Sequence, residues 1–403
     1  MADQVTRQLN TRAVMDQFLA GEPISRAEIA RRSGLSKQAV SEIVAELEAS
    51  GRVGPTGEVA GGHVGRAATL YSINPASGLV IGVDLGGTKI TAALGDFGGA
   101  VLDEATVRTD PRGGHHVIDQ IAALAGDLAR AHGSPPHRVA CLALGSPGAL
   151  DRRTGVMAFA PNIPSFGDLD VARELSARLG YTVVVDNDVN MAVLGEQWAG
   201  WGRGLSDFVL ISVGTGIGMG IVIGGELRTG ATGAAGEIAY LPLGADPFDP
   251  ASRLKGALEE AVGGAGLARR HAALHGSGAR GDRHQVPEIF AAAAAGEPTA
   301  QAAVEEEARL LALAVAAVAA VLDPELVVLG GGIGSRPELL EPVRGRLDGL
   351  MPAPTVVRTS ALGARAGVLG AVAVALRTAH AQAFATPSTL PTAVPAPTLD
   401  RLR

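Results

Sequence analysis

Cysteine is almost absent from this chain: of 403 residues, only Cys141 carries a thiol. A single thiol excludes an intrachain disulfide framework and a cysteine-rich zinc site. Cys141 lies in the apolar run Val139 to Leu144 and reads as an inert core residue. Aromatic residues make up just 3%, so Ala, Val and Leu must fill whatever cores the chain builds. No apolar run reaches the roughly 20 residues needed to span a bilayer; the longest is Leu310 to Leu322. The polar start, Met1-Ala2-Asp3-Gln4, lacks the character of a signal peptide. A cytoplasmic protein with no membrane partner is expected. An excess of positive charge is missing too. The formal net charge of −7 argues against a globally basic nucleic-acid binder, although a local DNA-binding face stays compatible with it.

What the chain has is apolar side chains, at 47%, and 55 glycines. The length suggests two or three domains. The stretch Val80 to Leu94 organises the rest: an apolar strand, a turn with two glycines, and a second apolar run. Asp84 stands near the end of the first strand. Gly86 and Gly87 let the backbone approach a ligand with no Cβ in the way, and successive N–H groups in such a turn make an anion-binding concavity. Thr88 adds a hydroxyl and Lys89 a charge. The outline is that of a phosphate-binding hairpin; an ordinary hairpin is the alternative, because Gly-Gly is also a turn signal. It is neither a Walker loop nor a G-x-G-x-x-G turn.

The pattern recurs. Phe208 to Val213 runs into Gly214-Thr215-Gly216-Ile217-Gly218-Met219-Gly220, followed by Ile221 to Ile223. Two such hairpins suggest two similar lobes. Leu326 to Leu329 is a strand meeting Gly330-Gly331-Gly332, a junction able to pack backbone against a flat ring such as adenine. Thr182 to Val185 is a short strand leading into Asp186-Asn187-Asp188-Val189-Asn190. A polar cluster at a strand's carboxyl end is where open α/β sheets place ligands.

The first 75 residues differ in character. A helix over 5–20 ends at Gly21. Ser25-Arg26-Ala27-Glu28 has the form of a capping box, with Ile24 and Ile29 as a hydrophobic staple. That helix stops at Ser33-Gly34, and a third begins at Ser36 with Val40, Ile43, Val44 and Leu47 at helical spacing. Its other face carries Lys37, Gln38, Ser41 and Glu42. Helix, glycine turn and helix with polar residues near its start form a helix-turn-helix pattern. A glycine-rich tip, Gly57 to Gly65, followed by Arg66 and the strand Thr69 to Ile73, reads as a wing, with Arg66 placed to enter a minor groove. Ser36, Lys37, Gln38, Ser41 and Arg66 are the candidate DNA contacts. Residues 1–66 are close to neutral, so non-specific affinity should be modest and binding should lean on a dimer and on base contacts.

These motifs, in this order, resemble the ROK family (repressors, open reading frames and sugar kinases) of the sugar kinase/Hsp70/actin superfamily. The resemblance covers about residues 10 to 378. It implies an α/β chain: an N-terminal winged helix-turn-helix over 1–75, then a two-lobed actin-like ATPase fold. The first lobe is expected at 76–198, completed by a C-terminal helix at 366–380, and the second at 199–365. A Pro-, Thr- and Ala-rich stretch over 381–403 reads as a disordered tail. By resemblance Asp84, Gly86, Gly87, Thr88, Lys89, Gly214, Thr215, Gly216, Gly218, Gly331 and Gly332 bind nucleotide. Asn162, Asn187, Asp188, Glu237, Tyr240 and Glu259 contact a sugar, and Asp188 falls at the family's catalytic aspartate.

Two departures bear on function. Glu237-Ile238-Ala239-Tyr240 stands where the family reads Glu-x-Gly-His, so Tyr240 replaces the histidine that touches both sugar and zinc. The segment from Tyr240 to Glu259 holds no Cys or His, which rules out tetrahedral N/S coordination within it; no structural zinc and no metal ligand are expected in the chain. The winged helix, of the kind found in xylose and N-acetylglucosamine repressors, points to a sugar-responsive transcriptional regulator. Its expected partners are operator DNA, a sugar or sugar-phosphate effector bound between the lobes, and further copies in a homodimer or homotetramer. An ATP-dependent, glucokinase-like sugar kinase carrying a DNA-binding appendage, and using ATP and Mg, is the alternative.

Overall fold

The computed structural model describes residues 2–19, 21–59, 68–133, 138–150, 157–158, 163–167, 169–276, 286–351 and 355–383. The chain divides into two units, Met1–Asp188 with Val368–Arg403, and Val189–Gly367.

The first unit opens with α1 (Ala2–Leu19), β1 (Ile24–Ser25), α2 (Arg26–Ser33), α3 (Lys37–Ala49), β2 (Val53–Val59) and β3 (Ala68–Ile73). The strands form an antiparallel sheet in the order β1-β3-β2, so this is a winged helix. Local chemistry sets each helix end. The Ser25 hydroxyl accepts from the Glu28 amide at 3.2 Å. The other half of the expected capping box does not form, because the Glu28 carboxylate takes the Arg31 and Arg32 guanidinia instead. Gly34, at φ 71°, ends α2 in the left-handed region, and its N–H returns to Ala30. Ser36 caps α3 by accepting from Ala39. Ile24, Ile29, Val40, Ile43, Val44 and Leu47 are all buried with Val14 and Phe18. Arg66 and the wing tip lie outside the described residues.

Asn74 to Gly78 leads out of the wing as a fixed joint. The Asn74 N–H donates to Arg52 O at 2.8 Å and its Nδ2 to Gly51 O at 2.8 Å. Beyond the joint, the Phe97 amide donates to Pro75 O. Gly78 lies flat on the Phe97 ring; a Cβ there would meet ring carbons at 2.6 Å.

The rest of the first unit is built on a five-stranded sheet of β4 (Leu79–Leu85), β5 (Lys89–Asp96), β6 (Val101–Arg108), β7 (Val139–Ser146) and, after the short β8 (Ala149–Leu150) and β9 (Met157–Ala158), β10 (Thr182–Asn187). Its order is β10-β7-β4-β5-β6, with β4, β5 and β6 antiparallel and β10, β7 and β4 parallel. The near-continuous apolar strands β4, β5 and β7 are those of a sheet covered on both faces. One face is covered by α4 (Gly114–Ala131) and α5 (Val171–Leu179), through Ile118, Ile121 and Leu175.

The second unit takes in α6 (Asp188–Ala199) from Val189 onward, then β11 (Phe208–Val213), β12 (Ile217–Ile223), β13 (Glu226–Leu227), α7 (Pro250–Lys255), α8 (Ala257–Val262), α9 (Gly264–Leu274), α10 (Val286–Ala294), α11 (Pro298–Leu322), β14 (Leu326–Gly330), α12 (Gly331–Gly334), α13 (Pro337–Leu347) and β15 (Val357–Thr359). Its sheet runs β13-β12-β11-β14-β15, again three antiparallel strands and then two parallel ones. Strand for strand this repeats the first sheet, the duplicated topology of the actin-like sugar-kinase fold. Glu196 in α6, fully buried, accepts from Trp201 N, Ser360 Oγ and Leu362 N at 2.9, 2.5 and 3.1 Å, tying two turns of this unit together.

The chain closes with α14 (Ala366–Ala383), which lies on β4 in the first unit; a Cβ on Gly82 would run into the Val368 carbonyl and the Val372 amide. The helix continues through Ala383, into the stretch expected to be tail, because Ala379 to Ala383 prolongs its small-residue pattern. Residues 384–403 lie outside the described residues. No described helix is long and apolar enough to cross a membrane.

Candidate functional site

In the first unit, strand register sets Asp84, Gly145 and Asp186 abreast at the carboxyl ends of β4, β7 and β10. Asn187 and Asp188 come directly after, Asp188 starting α6. The Asn187 side chain donates from Nδ2 to Gly148 O at 2.8 Å. Burial, and next the neighbouring Asp188 carboxylate, push the Asp84 pKa up to about 7, against the opposing pull of Lys89. Two acids held this close favour a shared proton or a bound cation.

The hairpin between β4 and β5 turns at Gly86-Gly87-Thr88, closed by Gly86 N to Lys89 O at 2.9 Å. Gly87, Thr88 and Lys89 are exposed. Thr109, just past β6, braces the turn: its hydroxyl donates to Gly86 O at 2.7 Å and its amide to Thr88 O at 3.1 Å. Sequence reading missed Thr109, since a lone threonine after a strand carries no signal.

The second unit brings its glycine motifs together. The turn Gly214-Thr215-Gly216 is closed by Gly214 N to Gly216 O at 2.9 Å, and Gly264 N donates to Gly214 O. A Cβ on Gly214 would touch the Gly332 amide at 3.7 Å. Gly331, at φ 77°, starts α12 against the Val213 carbonyl, where no side chain fits. The glycine-rich turn is shorter than the sequence suggested: β12 begins at Ile217 and includes Gly218 and Gly220. Those two are bare so that α6 can lie on the strand, since added Cβ atoms would press on Val189 and Val193.

Glu259 is partly buried in α8 and accepts from Ile217 N at 3.2 Å, behind the second hairpin. Desolvation, chiefly, raises its pKa. Glu237 is exposed at the start of the turn Ile238–Tyr240, close enough to Glu259 to add to that rise. Tyr240 is exposed and donates from its hydroxyl to Leu254 O at 3.4 Å. Asn162 lies outside the described residues.

On the winged helix, Ser36, Lys37 and Gln38 are exposed at the start of α3, and Ser41 is half-buried one turn on. Gln38 Nε2 donates to Glu42 Oε1 at 3.0 Å.

The sequence profile of the ROK family matches residues 80–378. The chain belongs to the ROK family. A winged helix-turn-helix DNA-binding profile matches residues 9–53 ahead of it. A glucokinase of Thermotoga maritima is 34% identical over 313 residues, 73% of this chain and 96% of that one. A xylose repressor of Caldicellulosiruptor bescii is 28% identical over 335 residues, 80% of this chain and 83% of its own. The crystal structure of a ROK family transcriptional regulator, a homolog of the E. coli MLC protein, superimposes with a TM-score of 0.77 at 23% identity; it covers 94% of this chain and 98% of that one, and at that identity the likeness is one of fold. This ROK protein is thus related both to glucokinases and to transcriptional regulators.

The segment from Tyr240 to Glu259 is held by its own local contacts. Between Tyr240 and Glu259 the acids are already engaged: Asp246 accepts from Phe248 N and Asp249 caps α7 through Ala251 N, both near 2.9 Å. Gly256 packs directly on the Ala239 carbonyl. Caps and close backbone packing hold this loop, and its side chains do not fit zinc.

Proposed function

We propose that this ROK protein is a sugar-responsive, DNA-binding transcriptional regulator of carbohydrate metabolism. The observation that carries the reading is the winged helix, whose α3 exposes Lys37 and Gln38 and which continues into the ROK fold through the pinned joint at Asn74. In this reading residues 1–75 are the DNA-binding domain, and Ser36, Lys37, Gln38, Ser41 and Arg66 face operator DNA. Asn162, Asn187, Asp188, Glu237, Tyr240 and Glu259 bind a sugar or sugar phosphate. A homodimer or dimer of dimers reads a near-palindromic site, because two-fold symmetry sets two recognition helices about 34 Å apart.

A second reading, an ATP-dependent sugar kinase with a DNA-binding appendage, has support of its own. The glucokinase is more similar in sequence than the repressor, 34% against 28%. The acid pair Asp84 and Asp188 and both glycine hairpins are what a kinase retains. Asp188 would take the proton from the attacking sugar hydroxyl. Asp84 would hold magnesium through water, and Gly86 to Lys89 with Gly214 to Gly216 would cradle phosphates. The magnesium would supply charge neutralisation on those phosphates.

Two assays on the full chain separate the readings. A coupled ADP-release assay across a sugar panel should give turnover on the order of 1–100 per second if the kinase reading holds. Selection of bound duplexes from a random DNA pool, with and without each sugar that shifts the melting temperature, should return one palindromic motif whose recovery depends on the sugar if the regulator reading holds. Recovery of no motif would overturn it.

A further inference from the structure

The end of α9 reads His271-Ala272-Ala273-Leu274-His275. Spacing of four puts both imidazoles on one helix face. His275 is the C-cap of α9, and the two rings meet edge to face with centroids 4.6 Å apart. Across from them stands Glu297, the N-cap of α11. Its Oε2 lies 3.7 Å from His271 Nε2 and 3.8 Å from His275 Nε2. These separations exceed a hydrogen bond.

Three features suit the cluster to a cation. The donor atoms of His271, His275 and Glu297 all lie within 4.8 Å of one another. Ligands bound tetrahedrally at 2.0–2.2 Å stand roughly 3.3–3.6 Å apart, so modest side-chain rotation closes the ring. His271 Nε2 is buried and has no hydrogen-bond partner among the described residues, the costly state for a polar atom unless something fills it. Finally, Glu297 Oε1 and Oε2 are oriented by the Thr299 hydroxyl and by the Thr299 and Ala300 amides, a second layer of contacts of the kind that orients metal ligands. The neighbouring Arg270 does not compete, being bonded to Glu307 and to the carbonyls of Ala261 and Ala303. The negative end of the α9 dipole adds attraction for a cation.

We propose that His271, His275 and Glu297 bind one divalent transition-metal ion of the zinc class, stapling the end of α9 to the start of α11. Two imidazoles and a carboxylate suit zinc, cobalt and nickel rather than calcium or magnesium. Water completes the shell from the side of His275, whose side chain is 46% exposed. The site is independent of the sugar and DNA readings, and it lies outside the Tyr240–Glu259 segment.

The test uses the full chain stripped with EDTA. Equilibrium dialysis against Zn²⁺ should give one ion per chain lost on His271→Ala or His275→Ala, and Co²⁺ should develop a visible d–d spectrum. Zn²⁺ should raise the melting temperature of the wild type and of a His115→Ala/His116→Ala control, but not of His275→Ala. His275→Ala changes a half-exposed side chain, so its melting temperature in EDTA should match the wild type. Glu297→Gln keeps the cap's acceptor oxygen and should weaken Zn²⁺ binding at least tenfold. Absence of stoichiometric Zn²⁺ on the wild type, or Zn²⁺ binding unchanged in both histidine variants, overturns the assignment.

Discussion

Asp84 is a buried acid held against its own charge. With its pKa raised from 3.8 to about 7 by burial and by Asp188, the folded state holds a proton that the unfolded chain gives up. The stability linked to this group is therefore complete below about pH 4 and is lost as pH rises toward 7. Asp84→Asn removes that charge without changing shape. It should stabilise the protein at pH 8 by about 1–3 kcal/mol, a figure reduced for the partial solvent access of the site, with the gain vanishing near pH 4. Urea denaturation at both pH values checks this; an equal effect at the two would remove the linkage. Gln38 stands exposed at the start of α3. Its side-chain amide gives one N–H to Glu42, which leaves the second N–H and the carbonyl oxygen for a base edge. Gln38→Ala should cost about 1–3 kcal/mol of discrimination between operator and altered operator. Equal loss on operator and random duplexes would deny it base reading.

Elements defined by local chemistry were legible in sequence; those defined by contacts distant in the chain were not. Ser25, Gly34 and Ser36 announced the ends of α2 and α3, because capping involves residues at most four apart. The two glycine hairpins were legible for the same reason. Gly218 was not: its neighbour Val189 lies on α6, and only packing explains the missing side chain. The Glu196 clamp and the meeting of Glu297 with His271 depend likewise on tertiary contact. Two substitutions test this layer. Glu196→Ala strands three donors in a buried setting and should cost roughly 2–4 kcal/mol. Gly82→Ala drives a methyl into the backbone of α14 and should cost about 1–3 kcal/mol, since helix and strand must part. Both are read as shifts in the urea midpoint; an unshifted midpoint for either would mean that the packing described is looser than the structure has it.

Within the first unit, the winged helix is attached to the five-stranded sheet by a short, hydrogen-bonded joint. Such a joint transmits orientation better than a flexible linker. A ligand can act through it only by its differential affinity for two states of the protein. In the regulator reading, sugar binding and operator binding are coupled in this one chain. Calorimetric titration of the full chain with its sugar, alone and saturated with operator duplex, tests it directly. Sugar affinities should differ by about 5–150-fold between the two titrations, with operator affinity changed by the same factor when sugar is present, and both effects weakened together in Asp188→Asn. Identical sugar affinities with and without operator would contradict it.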